Sequence, residues 1–93
     1  MISDESFKNA SICLKTIANP TRLKMIHLLS QKPMCVKDLS DALDIKHNVA
    51  SEHLTVMKDR GFITSSKEGR EVIYIIKEKA LLNILKCVES KFS

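Results

Sequence analysis

Apolar residues recur at helical spacing along most of the chain, and the spacing changes once. At about 100° per residue, Phe7, Ala10, Leu14, Ile17 and Ala18 share one arc, with Cys13 at its edge. This predicts a first amphipathic helix over about residues 5–18. Asn19-Pro20 follows, and Asn suits an N-cap while Pro suits the first helical position. A second helix is expected from Thr21 to Ser30, with Leu23, Ile26 and Leu29 inward, ending before Pro33. Cys35-Val36-Lys37-Asp38 has capping-box spacing, with Cys in the usual place of Ser or Thr. Val36, Leu39, Ala42 and Leu43 then form the stripe of a short third helix. Asp44-Ile45-Lys46 reads as a tight turn, and a fourth helix is expected from about His47 to Arg60. Gly61 suits the residue just past a helix end, with Phe62 folding back on Met57.

Beyond Gly61 the pattern becomes that of strands. Residues 62–66 and 72–76 are rich in β-branched and aromatic side chains, and Lys67-Glu68-Gly69-Arg70-Glu71 between them holds a turn glycine. That combination predicts a β-hairpin. A last helix is expected from Glu78, with Ala80, Leu81, Ile84, Leu85, Val88 and Phe92 on one side and Cys87 at the edge. The fold class is therefore mainly α with a β-hairpin, in the order α-α-α-α-β-β-α. Two short helices joined by a three-residue turn and followed by a hairpin make a winged helix-turn-helix.

The fourth helix divides by chemistry. With His47 at 0°, the apolar residues Val49, Ala50, Leu54, Val56 and Met57 fall at about 180–340°. His47, Asn48, Ser51, Glu52, Thr55, Lys58 and Asp59 fall at about 0–140°. Asn can bond adenine bidentately, Ser and Thr donate or accept, and Glu accepts from cytosine N4. His47, Asn48, Ser51 and Glu52 are accordingly the expected base readers, with Thr55 and Lys58 at phosphate. His53 lies in the middle of the apolar arc and is expected to be a half-buried, hydrogen-bonded packing residue.

Charge refines this picture. The 93 residues carry 15 Lys plus Arg against 11 Asp plus Glu, a net charge of +4. That balance is compatible with nucleic acid without requiring it. Residues 38–59 are not basic, holding five acids against Lys46 and Lys58. The acid-free stretch 6–37 carries Lys8, Lys15, Arg22, Lys24, Lys32 and Lys37. Phosphate contacts would come from these flanks, Lys37 in particular, and from Lys67 and Arg70 of the wing. The modest charge of the fourth helix leaves a second reading open, a winged helix used for protein contact.

A chain of this length is expected to form one domain over residues 1–93, and so small a core is commonly supplemented by dimerisation. No apolar run approaches the 18 or so residues of a membrane span. The opening residues, with Asp4 and Glu5, do not read as a secretory signal. Three cysteines in such a chain are expected as reduced thiols in the cytoplasm. No Ser/His/Asp set or Gly-rich phosphate motif is present, so an enzyme is not expected. Cys13, Cys35 and Cys87 are candidate sensor thiols: Cys35 at a helix N-terminus, where a thiol pKa falls, and the others at the edges of the apolar stripes of the first and last helices. The alternative for each is a small buried hydrophobe.

Leu14 to Leu23 with its Asn19-Pro20-Thr21-Arg22 core, Cys35-Val36-Lys37-Asp38-Leu39, Val49-Ala50-Ser51-Glu52-His53-Leu54, Asp59-Arg60-Gly61-Phe62-Ile63, and Glu68-Gly69-Arg70 with Tyr74 occur here in one order. Over about residues 16–77 the chain thereby resembles the arsenic-repressor (ArsR/SmtB-like) family of bacterial and archaeal winged-helix repressors. The resemblance implies a homodimer built from first and last helices. It also implies binding to a pseudo-palindromic operator in double-stranded DNA, with release by a metal ion, a metalloid or a thiol-reactive signal. No cofactor is required for the binding itself. The chain departs from the family pattern in four places. Lys37 stands where many members have the second cysteine of Cys-Val-Cys-Asp, which breaks the paired thiolate site. The last helix has no His and, between Leu81 and Phe92, only Glu89 as an acid. The second-helix position of a sensing cysteine holds His27, and Lys46-His47 replaces a common Ser-Gln.

Overall fold

The computed structural model describes residues 1–93. Its elements are α1 (Asp4–Ile17), α2 (Pro20–Gln31), β1 (Met34–Cys35), α3 (Val36–Leu43), α4 (His47–Asp59), β2 (Ile63–Glu68), β3 (Glu71–Ile76) and α5 (Ala80–Phe92). The five helices and the hairpin follow the order that the sequence pattern predicts. The start of α2 is fixed as expected: Asn19 Oδ1 accepts from the Arg22 N–H at 3.1 Å, and Pro20 opens the helix. The end of α4 is also fixed as expected. Phe62 N–H donates to the Met57 carbonyl at 3.0 Å, across Gly61 at φ +80°. That bond and positive φ form a Schellman end, which turns the chain directly into the wing.

Four local expectations are corrected. First, the helical bounds shift: α1 begins at Asp4, capped by Ser3, and α5 begins at Ala80 rather than Glu78. Glu78 instead accepts the Ala80 N–H through Oε1 at 3.1 Å. Second, the hairpin turn is tighter than the five residues 67–71. The strands extend to Glu68 and Glu71, and only Gly69 and Arg70 lie between them. Gly69 at φ +64° takes the first central position that a type II′ turn reserves for glycine. Third, Met34-Cys35 forms a short strand that pairs antiparallel with β3, Met34 opposite Tyr74 and Cys35 opposite Ile73. The sheet order is thus β1-β3-β2. Fourth, no capping box forms at Cys35. It occupies the N-cap position with an extended backbone, but its side chain makes no capping bond. The residue is buried all the same.

One cluster of Ile17, Met25, Ile26, Leu29, Met34, Leu39, Ala50, Leu54, Met57, Phe62, Ile63, Ile76 and Leu81 joins the elements. Each helix from α2 to α5 contributes its apolar stripe, and the hairpin contributes the base of each strand. In α2 Met25 and Ile26 are fully buried, whereas Leu23 is half-buried toward α5. Burying a Leu or Met side chain is worth about 1.5–3 kcal/mol, so Leu54 and Met57, both fully buried, hold α4 firmly. The turn between α3 and α4 depends on Asp44, the one non-glycine residue in the left-handed region, at φ 52°. Asp tolerates that conformation better than most side chains. Ile45 N–H then donates to the Ser40 carbonyl at 3.1 Å, closing the turn.

The two terminal helices are incompletely covered. No residue from Met1 to Lys15 is buried, and burial in α1 begins at Thr16 and Ile17. Phe7, Ile12 and Leu14 of α1 and Val88 and Phe92 of α5 lie open. A groove of about 620 Å³ runs between α2 and α5, with Leu23, Leu82, Leu85, Val88 and Phe92 as its apolar lining and Lys24, His27 and Lys86 among its polar residues. No helix is long and apolar enough to cross a membrane.

Candidate nucleic-acid interface

The inner face of α4 is spent on the core and the outer face is free. Ala50, Leu54 and Met57 are fully buried. His47, Asn48, Ser51, Glu52 and Thr55 line one shallow open concavity together with Val56. Five of the six α4 side chains that the pattern assigns to DNA are therefore brought together on one surface, and Lys58 is the one outside it. Asn48, Glu52 and Thr55 are exposed, as is His47 in the first turn, and Ser51 is half-buried. None of the five donates or accepts a hydrogen bond within the chain through its side chain, so all are available to a partner.

Lys58 stands at the seam between α4 and the wing. Its Nζ donates to Ser65 Oγ of β2 at 2.8 Å. Lys67 is exposed on β2, and Arg70 is exposed at the tip of the turn. Lys37 is exposed in the first turn of α3. None of these cations lines the concavity. Ser65 carries no signal in the sequence; only the fold sets it beside Lys58.

Two residues take the interior roles that their positions dictate. His53 is half-buried and hydrogen-bonded, as its place in the apolar arc predicts: its Nδ1 accepts from Arg22 Nε at 3.0 Å. Arg22 also donates through Nη1 to the Thr16 carbonyl at 2.8 Å. Its assignment to a phosphate-binding flank is thus corrected, because the guanidinium turns inward. An Nδ1 that accepts must be unprotonated, so His53 carries its proton on Nε2. Burial foremost, and then the Arg22 cation, hold its pKa below the ordinary 6.5, while Glu52 pulls upward.

The three thiols are scattered. Cys13 is half-buried on α1 against the core, Cys35 is buried at the end of β1, and Cys87 is exposed on α5; none is paired. His27 lines the α2–α5 groove, and its Nε2 lies 3.4 Å from Gln31 Nε2. Within the protomer no three His, Cys, Asp or Glu side chains converge on a common point able to hold a metal ion.

A helix-turn-helix whose second helix presents a polar outer face, followed at once by a paired hairpin, defines a winged helix-turn-helix. Residues 19–65 match the model of the family described as "bacterial regulatory protein, arsR family". The chain is 33% identical over 72 residues to the HTH-type transcriptional repressor SmtB of Mycobacterium tuberculosis, covering 77% of this chain and 53% of that protein. It is 31% identical over 86 residues to an HTH-type transcriptional regulator of Methanocaldococcus jannaschii, covering 91% of this chain and 97% of that one. A solved homodimeric winged helix-turn-helix DNA-binding domain from Mycobacterium bovis superposes with a TM-score of 0.82 at 24% identity, covering 95% of this chain and 84% of that one. The chain belongs to the arsR family of bacterial regulatory proteins. It spans about half the length of the SmtB relative.

Proposed function

We propose that this protein is a sequence-specific DNA-binding transcriptional repressor that acts as a homodimer on a pseudo-palindromic operator. The observation that carries the reading is the division of α4, whose apolar face is buried while His47, Asn48, Ser51, Glu52 and Thr55 form one free polar surface. A helix so anchored can enter the major groove without losing its hold on the core. The open apolar side chains of α1 and α5, Phe7, Leu14, Val88 and Phe92, support dimerisation through these helices. The repressor named among the relatives supports the direction of regulation.

In this reading the two recognition helices enter successive major grooves about 34 Å apart. Base edges are read by the first two turns, and Lys37, Lys58, Lys67 and Arg70 meet phosphates. Repression follows from occlusion of a promoter. The protein works in the cytoplasm, and DNA binding itself needs no bound cofactor. Asn48→Ala and Ser51→Ala test the assignment, since neither side chain supports the core. Each substitution is expected to weaken operator binding by about 1–3 kcal/mol with folding and dimerisation retained. Unchanged DNA binding in both variants would overturn the assignment.

A further inference from the structure

Charge alone would give Arg22 to DNA, because it lies in the acid-free stretch 6–37. Geometry gives it to the protein. Its guanidinium is a planar fork, and two prongs are in use: Nε on His53 Nδ1 at 3.0 Å and Nη1 on the Thr16 carbonyl at 2.8 Å. Three helices meet in those two bonds. Thr16 is in the last turn of α1, Arg22 in the first turn of α2, and His53 on the inner side of α4.

Each partner is held in place to receive it. The Asn19 cap on the Arg22 N–H fixes the backbone from which the side chain departs. Thr16 Oγ1 bonds back to the Ile12 carbonyl at 3.0 Å. The Thr16 carbonyl lies in the final turn of α1, where carbonyls lack helical partners and need another donor. His53 is neutral at ordinary pH, so its Nδ1 lone pair is available. Apart from this joint α1 is held to the core only near its C-terminal end, by buried Ile17 and half-buried Cys13, since nothing in it before Thr16 is fully buried.

We infer that Arg22 is a positioning residue for operator recognition: by bridging Thr16 and His53 it fixes α1 relative to α4, and so sets the separation and mutual angle of the two recognition helices in the dimer. The inference rests on the proposed reading of a dimer joined through α1 and α5. The helix that carries the open apolar stripe is then tied directly to the helix that reads bases. A small rotation of α1 at this joint would move the two α4 helices out of phase with the groove.

The test uses the full chain and palindromic duplexes built from half-sites selected from random DNA by the unaltered protein. Spacing between half-sites is stepped by single base pairs, and affinity is measured at several salt concentrations. Arg22→Lys keeps the charge but offers a point donor that cannot serve both acceptors at once. His53→Leu removes the acceptor, and His53→Gln restores one. The unaltered protein is expected to prefer one spacing by about tenfold over its neighbours, the scale of one lost base contact. R22K and H53L are expected to flatten that preference to about threefold or less, with the dependence of log affinity on log salt unchanged, while H53Q retains most of it.

Two results would overturn the inference. One is R22K matching the unaltered protein at every spacing, as a phosphate-binding cation would. The other is H53L leaving the spacing profile intact. Sedimentation and thermal unfolding of each variant separate a loosened joint from a lost fold. If R22K does not fold, the H53L and H53Q pair decides. Failure of the unaltered protein to select any duplex would instead overturn the DNA-binding reading, and this inference with it.

Discussion

Lys58 Nζ donates to Ser65 Oγ at 2.8 Å, joining the last turn of the recognition helix to the first half of the wing. The bond sets an ammonium group at the seam along which a DNA backbone would pass, between two elements that the core already fixes. Lys58 is exposed, so the bond adds little to stability. Lys58→Met is expected to change unfolding free energy by no more than about 0.5 kcal/mol, the range of ordinary surface substitutions. It should weaken DNA binding about equally across sequences and lower the salt slope by about 0.9, the contribution of one phosphate contact. A denaturation curve and a salt-stepped titration check both statements. Loss of sequence preference, rather than of overall affinity, would contradict them.

His53 makes stability depend on pH in a definite direction. Burial and Arg22 hold its pKa in the folded chain below 6.5. As pH falls below 6.5, the unfolded chain takes up a proton that the folded chain refuses. Stability is therefore full above about pH 6.5 and declines as pH falls from there toward the lowered folded value. Replacing His53 by Gln, which does not titrate, should make the decline shallower in that interval. The comparison is of urea midpoints for the two proteins at a series of pH values between about 7 and 5.

Burial orders the reactivity of the three thiols. Cys87 is exposed, Cys13 is half-buried, and Cys35 is buried with its backbone paired to β3. Under native conditions alkylation is expected at Cys87 first and at Cys35 last, with Cys35 labelled mainly through transient opening of the fold. Peptide mass spectrometry over a time course reads the order directly. In the proposed dimer through α1 and α5, Cys13 and Cys87 are expected to label more slowly than in the monomer, which adds a second check. Early labelling of Cys35 would mean that the fold around it opens easily.

The open apolar stripes of α1 and α5 give the proposed dimer a direct test. Phe7 and Val88 contribute nothing to the buried cluster of the protomer. Phe7→Glu and Val88→Glu are therefore expected to leave the protomer folded while shifting it to the monomer. Sedimentation velocity measures the shift, and circular dichroism verifies the fold. A monomer should lose most operator affinity, because each half-site then binds alone. Leu54→Ala provides the contrast. It empties space in the core and is expected to cost about 2–5 kcal/mol of stability.

Much of the architecture was legible because local pattern and tertiary fold agree. The stripe Val49, Ala50, Leu54, Met57 identifies α4 and its buried side, and Gly61 marks its end. The polar arc from His47 to Thr55 was legible for the same reason, since whatever the core does not take is left outside. Three features escaped. Strand β1 is only Met34-Cys35, too short for any periodicity, and it exists because β3 lies beside it, about forty residues later in the chain. The wing tip extends as strand through charged residues, Lys67, Glu68 and Glu71, because both faces there meet solvent and cross-strand pairing outweighs composition. Arg22 turns inward because His53, 31 residues away in sequence, offers a desolvated acceptor. No local pattern encodes any of these contacts between distant residues.

The central claim is specific recognition of DNA, and it is most directly tested by titrating the reduced protein against labelled DNA from upstream of its own gene. A scrambled duplex of equal length and composition is titrated beside it, at two salt concentrations. The account predicts a clear preference for the native duplex that persists at the higher salt, because base contacts from α4 do not depend on counterion release. Equal affinity for both duplexes, falling steeply together with salt, or no binding to either, would contradict it.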